Sequence, residues 1–242
     1  MRVAILADIH GNLEALEAVL ADAAGNGEVD ESWCLGDIVG YGPDPTACLA
    51  LVRDECRYAV AGNHDMAAAG VIALADFNDD AAKACLWTSK QLSHKELTHL
   101  KKLEMETWVD DFTLVHGSPK DPIWEYLVNV DAARENFSRF ETPYCLVGHS
   151  HVPLIFEEAH NRARMVVPLP AVMKLHDKRF IINPGSVGQP RDRDPRASYM
   201  IYDSTEKTVE LRRVSYDITM TQEKMTAASL PQYLIKRLTR GI

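Results

Sequence analysis

Residues 2–12, RVAILADIHGN, form an almost wholly apolar run that ends in an aspartate, a histidine and two turn-forming residues. The apolar part does not alternate with polar residues, which is typical of a strand buried on both faces of its sheet. Asn12 can cap a following helix, because apolar residues at 13, 16, 19 and 20 share one helical face. A buried strand followed at once by an amphipathic helix predicts the first unit of an α/β layer.

The same order of elements repeats downstream. A short strand is predicted at 32–35, a helix begins at Asp44 and Pro45, and a third strand follows at 58–61. Right-handed crossovers of this kind place successive strands parallel in one sheet. The first quarter of the chain therefore predicts a parallel sheet with helices on its face.

The rest of the chain has a different pattern. Residues 66 to about 111 are predicted to be a helical insertion, in which Ser93-x-x-Glu96 is a capping box that opens one helix. A helix near 130–140 is followed by closely spaced strands, which favours hairpins or a meander over further crossovers. These strands are predicted at 144–147, 153–156, 165–167, 179–182, 198–202 and 208–214. We expect an α/β (α+β) fold and a single domain over residues 1–242.

The composition is that of an ordinary globular protein of 242 residues, with 46% hydrophobic and 25% charged residues. No apolar run is long enough to predict a membrane span, and the N-terminal apolar stretch is too short for a secretory signal. The five cysteines are scattered without a C-x-x-C pair, which predicts buried thiols and a cytoplasmic location. The formal net charge of −9, without a basic block, disfavours nucleic acid as a partner.

Five short motifs follow apolar runs and contain side chains that bind metal ions. They are Asp8-x-His10, Gly36-Asp37, Gly62-Asn63-His64-Asp65, His116-Gly117 and Gly148-His149-Ser150-His151. In open α/β sheets the carboxyl ends of the strands share one edge, so these motifs are expected to converge there. Asp8 and His10 lie two residues apart, which in an extended chain places both side chains on one side. His149 and His151 repeat this spacing.

The ligand set combines aspartate, asparagine and histidine without a thiolate. Such ligands suit Mn, Fe, Zn, Co or Ni, with Mn or Fe favoured, rather than a structural zinc or calcium ion. Each motif alone could have a purely structural role. Asp8 or Asp37 could cap a helix, and His116 could be a hydrogen-bonded histidine of the core. A shared centre explains all five together. We therefore predict two ions about 3.5–4 Å apart that share a hydroxide for in-line attack on phosphorus.

The third motif also suggests a proton donor. His64 follows Asn63 directly, so its imidazole can point at the leaving-group oxygen as a general acid. Asp65 could orient His64 and raise its pKa, which would keep the ring protonated near neutral pH. We therefore predict that His64 and Asp65 act in catalysis.

Arg191 is the candidate for binding the phosphate oxygens of a substrate. It closes the segment NPGSVGQPR (183–191), whose glycines indicate a tight loop close to the site. Pairing of its guanidinium with Asp192 or Asp194 is the structural alternative. Two further histidines, His160 and His176, lie in the segment between the motifs and are not predicted to be ligands. The alternative for His176 is a position at the edge of the substrate cleft.

In combination the motifs resemble those of the calcineurin-like metallophosphoesterase superfamily. The segments GDIVGYGPDP (36–45) and INPGSVGQPRDRDPRASY (182–199) are similar to its small bacterial and archaeal phosphodiesterase branch. The resemblance extends from Asp8 to about Tyr202. It implies a four-layer α/β/β/α sandwich with a dinuclear site at the top of two packed sheets.

The resemblance also implies a division of the ligands between two ions. One ion would take Asp8, His10, Asp37 and His151. The other would take Asp37, Asn63, His116 and His149, so that Asp37 bridges the pair. Ser150 stands where threonine is more usual, but that position is not a ligand.

The expected function is metal-dependent hydrolysis of a phosphodiester or phosphomonoester of a small substrate, nucleotides included, by a metal-bridging hydroxide. Alternatives within the family are a dinucleoside polyphosphate hydrolase and a protein serine/threonine phosphatase. A metal-binding scaffold is the non-enzymatic alternative. A retromer subunit of that kind lacks the histidine that corresponds to His64, whereas this chain has it. The absence of a basic patch disfavours a nuclease.

Overall fold

The computed structural model describes residues 1–25, 29–159, 162–166, 172–175 and 177–242. Within these ranges the chain forms twelve strands and eight α-helices. The strands are β1 (Arg2–Leu6), β2 (Glu31–Cys34), β3 (Cys56–Ala59), β4 (Glu106–Val109), β5 (Phe112–Val115), β6 (Tyr144–Leu146), β7 (Pro153–Ala159), β8 (Arg162–Val166), β9 (Val172–Lys174), β10 (Phe180–Pro184), β11 (Ala197–Asp203) and β12 (Thr208–Val214). The helices are α1 (Leu13–Gly25), α2 (Pro45–Glu55), α3 (Asn63–Ala68), α4 (Asp79–Gln91), α5 (His94–Leu100), α6 (Val130–Asn136), α7 (Ile218–Ala227) and α8 (Gln232–Arg237).

The strands form two mixed sheets of six strands each. The first sheet has the order β3-β2-β1-β11-β12-β9, and the second has the order β4-β5-β6-β10-β7-β8. Strands β1, β2 and β3 run parallel, as the strand and helix pattern predicts. The β7–β8 and β11–β12 pairs are antiparallel neighbours in sequence, which confirms the predicted hairpins.

Three hydrophobic clusters separate four layers of secondary structure. Val3 and Ile5 of β1 pack between the two sheets, whereas Ala4 and Leu6 pack with residues of α1 and α2. On the far side of the second sheet, strand residues such as Ile181 pack against α6 and the segment after it. Because both faces of β1 are covered, its sequence does not alternate. The resulting α/β/β/α sandwich confirms the predicted fold class.

The structure differs from the sequence prediction within the predicted helical insertion. The capping box is present, with Ser93 Oγ accepting from the Glu96 amide at 3.3 Å and the Glu96 carboxylate accepting from the Ser93 amide at 2.6 Å. The insertion nevertheless ends in strand β4, which pairs antiparallel with β5 through a turn at Asp110. This four-residue edge strand is defined by its pairing with β5, which no local periodicity indicates.

None of the helices in the described ranges is both long and apolar enough to cross a membrane. The fold positions the candidate site by where its strands end. The carboxyl ends of β1, β2 and β3 in one sheet, and of β5 and β6 in the other, all lead into motif residues.

Candidate metal centre

The motif side chains lie at the strand ends, where the two sheets meet. β1 leads to Asp8 and His10, and β5 leads to His116. Each of the side chains in question is at most 4% exposed. They are Asp8, His10, Asp37, Asn63, His64, Asp65, His116, His149 and His151. So many buried polar groups in one place require partners to offset the loss of water.

The backbone at this edge is left-handed rather than extended. Asp8 and His10 have φ values of 54° and 51°, and His149 and His151 have values of 63° and 59°. The extended geometry expected for these two pairs is therefore wrong, although each pair does meet in space. Non-glycine residues in this region cost about 1–3 kcal/mol when bulky, and aspartate and histidine tolerate it best. Strained backbone of this kind is typical of functional sites.

Hydrogen bonds between loops hold these conformations. The Asp8 amide donates to the Gly36 carbonyl at 3.1 Å, and the His10 amide donates to the Asp37 carbonyl at 2.8 Å. The His149 amide donates to Asp8 Oδ1 at 3.2 Å, which joins the loop after β6 to the loop after β1. Each loop thus fixes the next.

Two groups of side chains offer converging ligand atoms. Asp8, His10, Asp37 and His151 have ligand atoms that all lie within 4.8 Å of one another. Asp37, His116 and His149 form a second group by the same measure. Asp37 belongs to both groups, and its Oδ2 lies 3.5 Å from His10 Nε2 and 3.4 Å from His116 Nε2.

Asn63 lies beside the second group. Its Oδ1 is 3.2 Å from His116 Nε2. The amide of the next residue, His64, donates to Asp37 Oδ1 at 2.8 Å, which leaves Asp37 Oδ2 facing the imidazoles. The side chains of all seven predicted ligands therefore lie close together: six of them form the two groups, and Asn63 lies beside the second.

Hydrogen bonds to backbone carbonyls orient three of the histidines. Nδ1 of His116 lies 2.8 Å from the Leu35 carbonyl, and Nδ1 of His151 lies 2.6 Å from the Gln189 carbonyl. His10 Nδ1 contacts the Val39 carbonyl at 3.3 Å. A carbonyl can only accept, so each Nδ1 carries a proton, which leaves Nε2 as the ring atom that can bind a metal ion. This arrangement is the usual support for a metal-binding imidazole.

Several atoms at the centre are buried without a hydrogen-bond partner among the described residues. They include Asp8 Oδ2, Asp37 Oδ2 and His149 Nε2, all of which are acceptors or lone-pair donors. An unsatisfied buried polar atom costs about 1–3 kcal/mol, and more if it is charged. Divalent cations would satisfy all three at once, so this donor set fits a dinuclear centre.

The pKa values of the buried groups are shifted by the loss of water and by their charged neighbours. Burial raises the pKa of Asp8 to about 8 and lowers that of His149 to about 3. Burial also opposes ionisation of Asp37, but His116 and His64 nearby hold its pKa below the ordinary value. Burial lowers the pKa of His116, yet the Asp37 carboxylate raises it to about 9 overall. Asp37 is therefore the anion around which the cluster is organised.

The structure corrects the predicted pairing of His64 with Asp65. The Asp65 carboxylate accepts from the Gly62 amide at 3.0 Å and from the Val39 amide at 3.0 Å, as a carboxylate in the first turn of α3 can do. None of the described hydrogen bonds joins it to His64. Burial lowers the pKa of His64 to about 4, which is opposite in direction to the rise expected from Asp65.

Arg191 lies at the mouth of the centre, where it lines the same cleft as His64 and Asp37. Its Nη2 donates to Gln189 Oε1 at 2.9 Å. The structural alternative for this residue does not apply, because Asp192 pairs with Arg213 and Asp194 pairs with Arg196 at 2.6 Å. Arg191 thus keeps a guanidinium facing the cleft.

Sequence analysis missed most of the aromatic walls of the cleft. The walls are formed by Phe77, Trp124 and Tyr126, which no motif indicated, together with Tyr41 of the turn after Asp37, which the sequence offered as a residue that could line the site. Tyr126 is 50% exposed and its ring lies 4.0 Å from that of His149, whereas Phe77 contacts Trp124 edge to face at 5.1 Å. Phe77 comes from one loop, and Trp124 and Tyr126 come from another, and neither loop has a motif, so only the fold identifies these three residues. His160 and His176 lie outside the described residues.

Comparisons with known proteins agree with this geometry. The sequence profile of the calcineurin-like phosphoesterase superfamily domain matches residues 1–207. The crystal structure of a metallophosphoesterase from Sphaerobacter thermophilus is 46% identical, with a TM-score of 0.90 and coverage of 100% of this chain and 99% of that chain. An uncharacterized protein of Methanocaldococcus jannaschii is 40% identical over 99% of this chain and 98% of its own length.

A more distant relative has a named activity. The symmetrical bis(5'-nucleosyl)-tetraphosphatase of Glaesserella parasuis is 28% identical over 56% of this chain. The match spans about half, 51%, of that protein's length.

Proposed function

The chain belongs to the calcineurin-like phosphoesterase superfamily and is a metallophosphoesterase, and we propose that it hydrolyses a phosphate ester of a small substrate at a centre of two transition-metal ions. One observation carries this proposal. Two groups of buried ligand atoms share Asp37 at the edge where both sheets end. A single carboxylate common to two such groups is suited to bridge two cations.

We assign the ligands as the two groups suggest. Asp8, His10, Asp37 and His151 would hold one ion. Asp37, Asn63, His116 and His149 would hold the other. The mixed nitrogen and oxygen donors, with no thiolate among them, suit Mn or Fe. When bound, the ions would polarise the phosphoryl group and activate a water molecule as the nucleophile.

The protein's own residues have separate roles in this proposal. Arg191 faces the cleft and can bind equatorial phosphoryl oxygens, whose charge grows in the transition state. His64 lines the same cleft beside Asn63 and can donate to the leaving-group oxygen. Asp65 acts indirectly, because its carboxylate caps the start of α3 and so fixes the backbone that carries Asn63 and His64.

The aromatic walls favour a substrate with a flat ring. Tyr126 and Trp124 expose ring surface beside the metal-binding residues, and stacking of a nucleobase on one such ring contributes about 1–3 kcal/mol. A nucleotide is therefore the proposed substrate class. A dinucleoside polyphosphate is the second candidate, supported by the partial similarity to a bis(5'-nucleosyl)-tetraphosphatase.

The test measures metal content and turnover together. The purified protein is stripped with a chelator, loaded with Mn²⁺, and assayed on an aryl phosphodiester, the matching monoester, AMP and diadenosine tetraphosphate. We expect two ions per chain and turnover that a chelator abolishes. Two bound ions without turnover on any of these esters would contradict the proposed activity.

Substrate class is tested separately with matched variants. Tyr126→Ala should raise KM for AMP about 5- to 100-fold, whereas Tyr126→Phe, which keeps the ring, should leave it unchanged. KM for glycerol phosphate, which has no ring, should not respond to either change. Equal effects on both substrates would exclude a stacking role for Tyr126.

A further inference from the structure

The imidazole of His64 is held by a set of contacts that the proposed function does not explain. Tyr41 packs against its ring with centroids 4.2 Å apart, and Phe77 contacts it edge to face at 5.0 Å. Its Nδ1 lies 3.2 Å from the sulfur of Cys85, a buried residue of α4. Among the described hydrogen bonds, this is the one made by the His64 ring.

We propose that Cys85 is a positioning residue for His64. Its thiol donates a hydrogen bond to Nδ1 and thereby keeps the ring proton on Nε2, from where it can be offered to a substrate oxygen. This inference rests on the proposed role of His64 at the leaving group. It names the group that prepares His64 for that role, in place of Asp65.

The direction of the hydrogen bond follows from the chemistry of the two atoms. An imidazole nitrogen with a free lone pair is a good acceptor, whereas a thiol sulfur is a weak one. The S–H···N arrangement is therefore favoured over N–H···S. Burial raises the pKa of the Cys85 thiol, so the sulfur retains the proton that it donates.

Gly40 leaves the space for this contact. Its φ is +90°, and a Cβ built on it would lie 2.6 Å from His64 Nδ1 and 2.9 Å from His64 Cβ. Any side chain at position 40 would push the ring away or compete for Nδ1. The absence of a side chain there leaves Nδ1 to Cys85 of α4.

The consequence is a neutral ring that acts as a hydrogen-bond donor. With Nδ1 occupied by the thiol proton, the neutral imidazole has a single N–H, and that N–H is at Nε2. A neutral imidazole held in one tautomer can stabilise developing negative charge on oxygen without carrying a charge itself. The inference requires only this hydrogen bond and no transfer of the thiol proton.

The first test reads the tautomer directly. The protein is loaded with Zn²⁺, which is diamagnetic, and long-range ¹H–¹⁵N NMR spectra of its histidines are recorded, with His64→Gln used to assign the signal. We expect the His64 signal to show a protonated Nε2 and an unprotonated Nδ1. A protonated Nδ1 in the wild type would overturn the inference, whatever the activity of the enzyme.

The second test separates positioning from packing. Cys85→Ala should lower kcat about 3- to 10-fold on alkyl esters, which have poor leaving groups, and less than about 2-fold on p-nitrophenyl esters. Cys85→Ser keeps a hydroxyl donor and should recover most of this loss. Cys145→Ala, which removes a buried thiol from the outer cluster on the second sheet, is the matched control and should change neither rate.

These outcomes are distinguishable from failure of the proposed function. If the metal-loaded wild type hydrolyses none of the esters, the proposed function fails, and the NMR experiment still decides the tautomer. If Cys85→Ala lowers the rates on both ester classes equally, or Cys85→Ser recovers none of the loss, Cys85 is a packing residue and the inference is wrong. Metal content is measured on every variant and should stay at the wild-type value.

Discussion

Asp37 is the residue on which the two halves of the candidate centre depend. Its Oδ1 accepts from the His64 amide, whereas its Oδ2 faces His10 and His116. Asp37→Asn replaces one carboxylate oxygen by an NH₂ group that cannot bind a cation. We expect metal content to fall from two ions to at most one per chain and kcat/KM to fall at least about 100-fold.

Mass spectrometry of the bound metals and steady-state kinetics measure both effects. Asp54→Asn, an exposed change of the same chemistry on α2, is the control. Retention of two ions by Asp37→Asn would show that Asp37 does not bridge.

The proposed role of Arg191 depends on its guanidinium being left unpaired by Asp192 and Asp194. Its two neighbouring aspartates pair with Arg213 and Arg196, so its charge is directed at the cleft. Arg191→Ala should lower kcat/KM about 10- to 100-fold, because a hydrogen bond to a charged group contributes about 1.5–3 kcal/mol. Arg191→Lys should recover only part of the loss, since lysine cannot bind two oxygens in a fork.

Arg196→Ala removes an exposed arginine from the same loop and serves as the control. Equal kinetics for the Arg191 and Arg196 variants would contradict a phosphate-binding role for Arg191.

At the scale of elements, the loop between β10 and β11 is fastened to the loop after β1. The Gly188 amide donates to the Asp8 carbonyl at 3.0 Å, and Ser186 Oγ donates to the same carbonyl at 2.8 Å. A Cβ at position 188 would lie 1.8 Å from the Ile9 carbonyl oxygen. Contact at this distance requires the backbone of one loop to move.

We therefore expect Gly188→Ala to lower the free energy of unfolding by at least about 2 kcal/mol, measured by urea denaturation. Gly25→Ala, at the end of α1 with no atom within 4 Å of the added Cβ, should change it by less than about 1 kcal/mol. A similar change in the free energy of unfolding for the two variants would contradict the tight contact between these two loops.

At the scale of the whole molecule, the buried centre makes stability depend on pH when metal is absent. Burial raises the pKa of Asp8 to about 8, and burial together with Asp37 raises that of Asp65 to about 7. The pKa of His116 is lowered by burial but raised by Asp37 to about 9 overall. In the unfolded chain these groups titrate near their ordinary values, about 4 for aspartate and 6.5 for histidine.

Between pH 6.5 and 9 the folded metal-free protein therefore binds more protons than the unfolded chain. The free energy of unfolding must then fall as the pH rises through this range, by an amount on the order of 2 kcal/mol. The other histidines of the centre have lowered pKa values, so in the unfolded chain they titrate around pH 6.5 and oppose this fall only at the lower end of the range.

The measurement is the melting temperature of chelator-treated protein at pH 6.5 and 8.5, with metal-loaded protein as the control. We expect a decrease of several degrees without metal and a smaller change with it. A melting temperature that rises with pH in the metal-free protein would contradict these pKa shifts.

We also propose that residues 1–242 form one domain that unfolds as a unit. β1 pairs with β11 from the other half of the chain, and the Thr221 hydroxyl of α7 contacts the Glu14 carboxylate of α1 at 2.8 Å. The metal-loaded protein should therefore show a single denaturation transition, with the same midpoint by tryptophan fluorescence and by circular dichroism. Two separated midpoints would indicate two domains.

The sequence by itself determined the fold class and the types of donor side chain in the candidate centre. Uninterrupted apolar strands such as β1, a helix cap at Asn12 and the capping box at Ser93 are local signals, because each depends on residues within one or two turns. The convergence of the candidate metal ligands was predictable because strand ends in an α/β fold meet wherever the strands lie in the chain.

Only the tertiary structure decided the features that join distant residues. It placed Asp65 on backbone amides and Cys85 on His64, gave Asp8 and His10 a left-handed backbone, and assembled the aromatic walls from separate loops. The physical reason is that a side chain's partner is set by which loops pack together, and a left-handed φ is held by hydrogen bonds from other loops. Neither leaves a periodic or local pattern in the sequence.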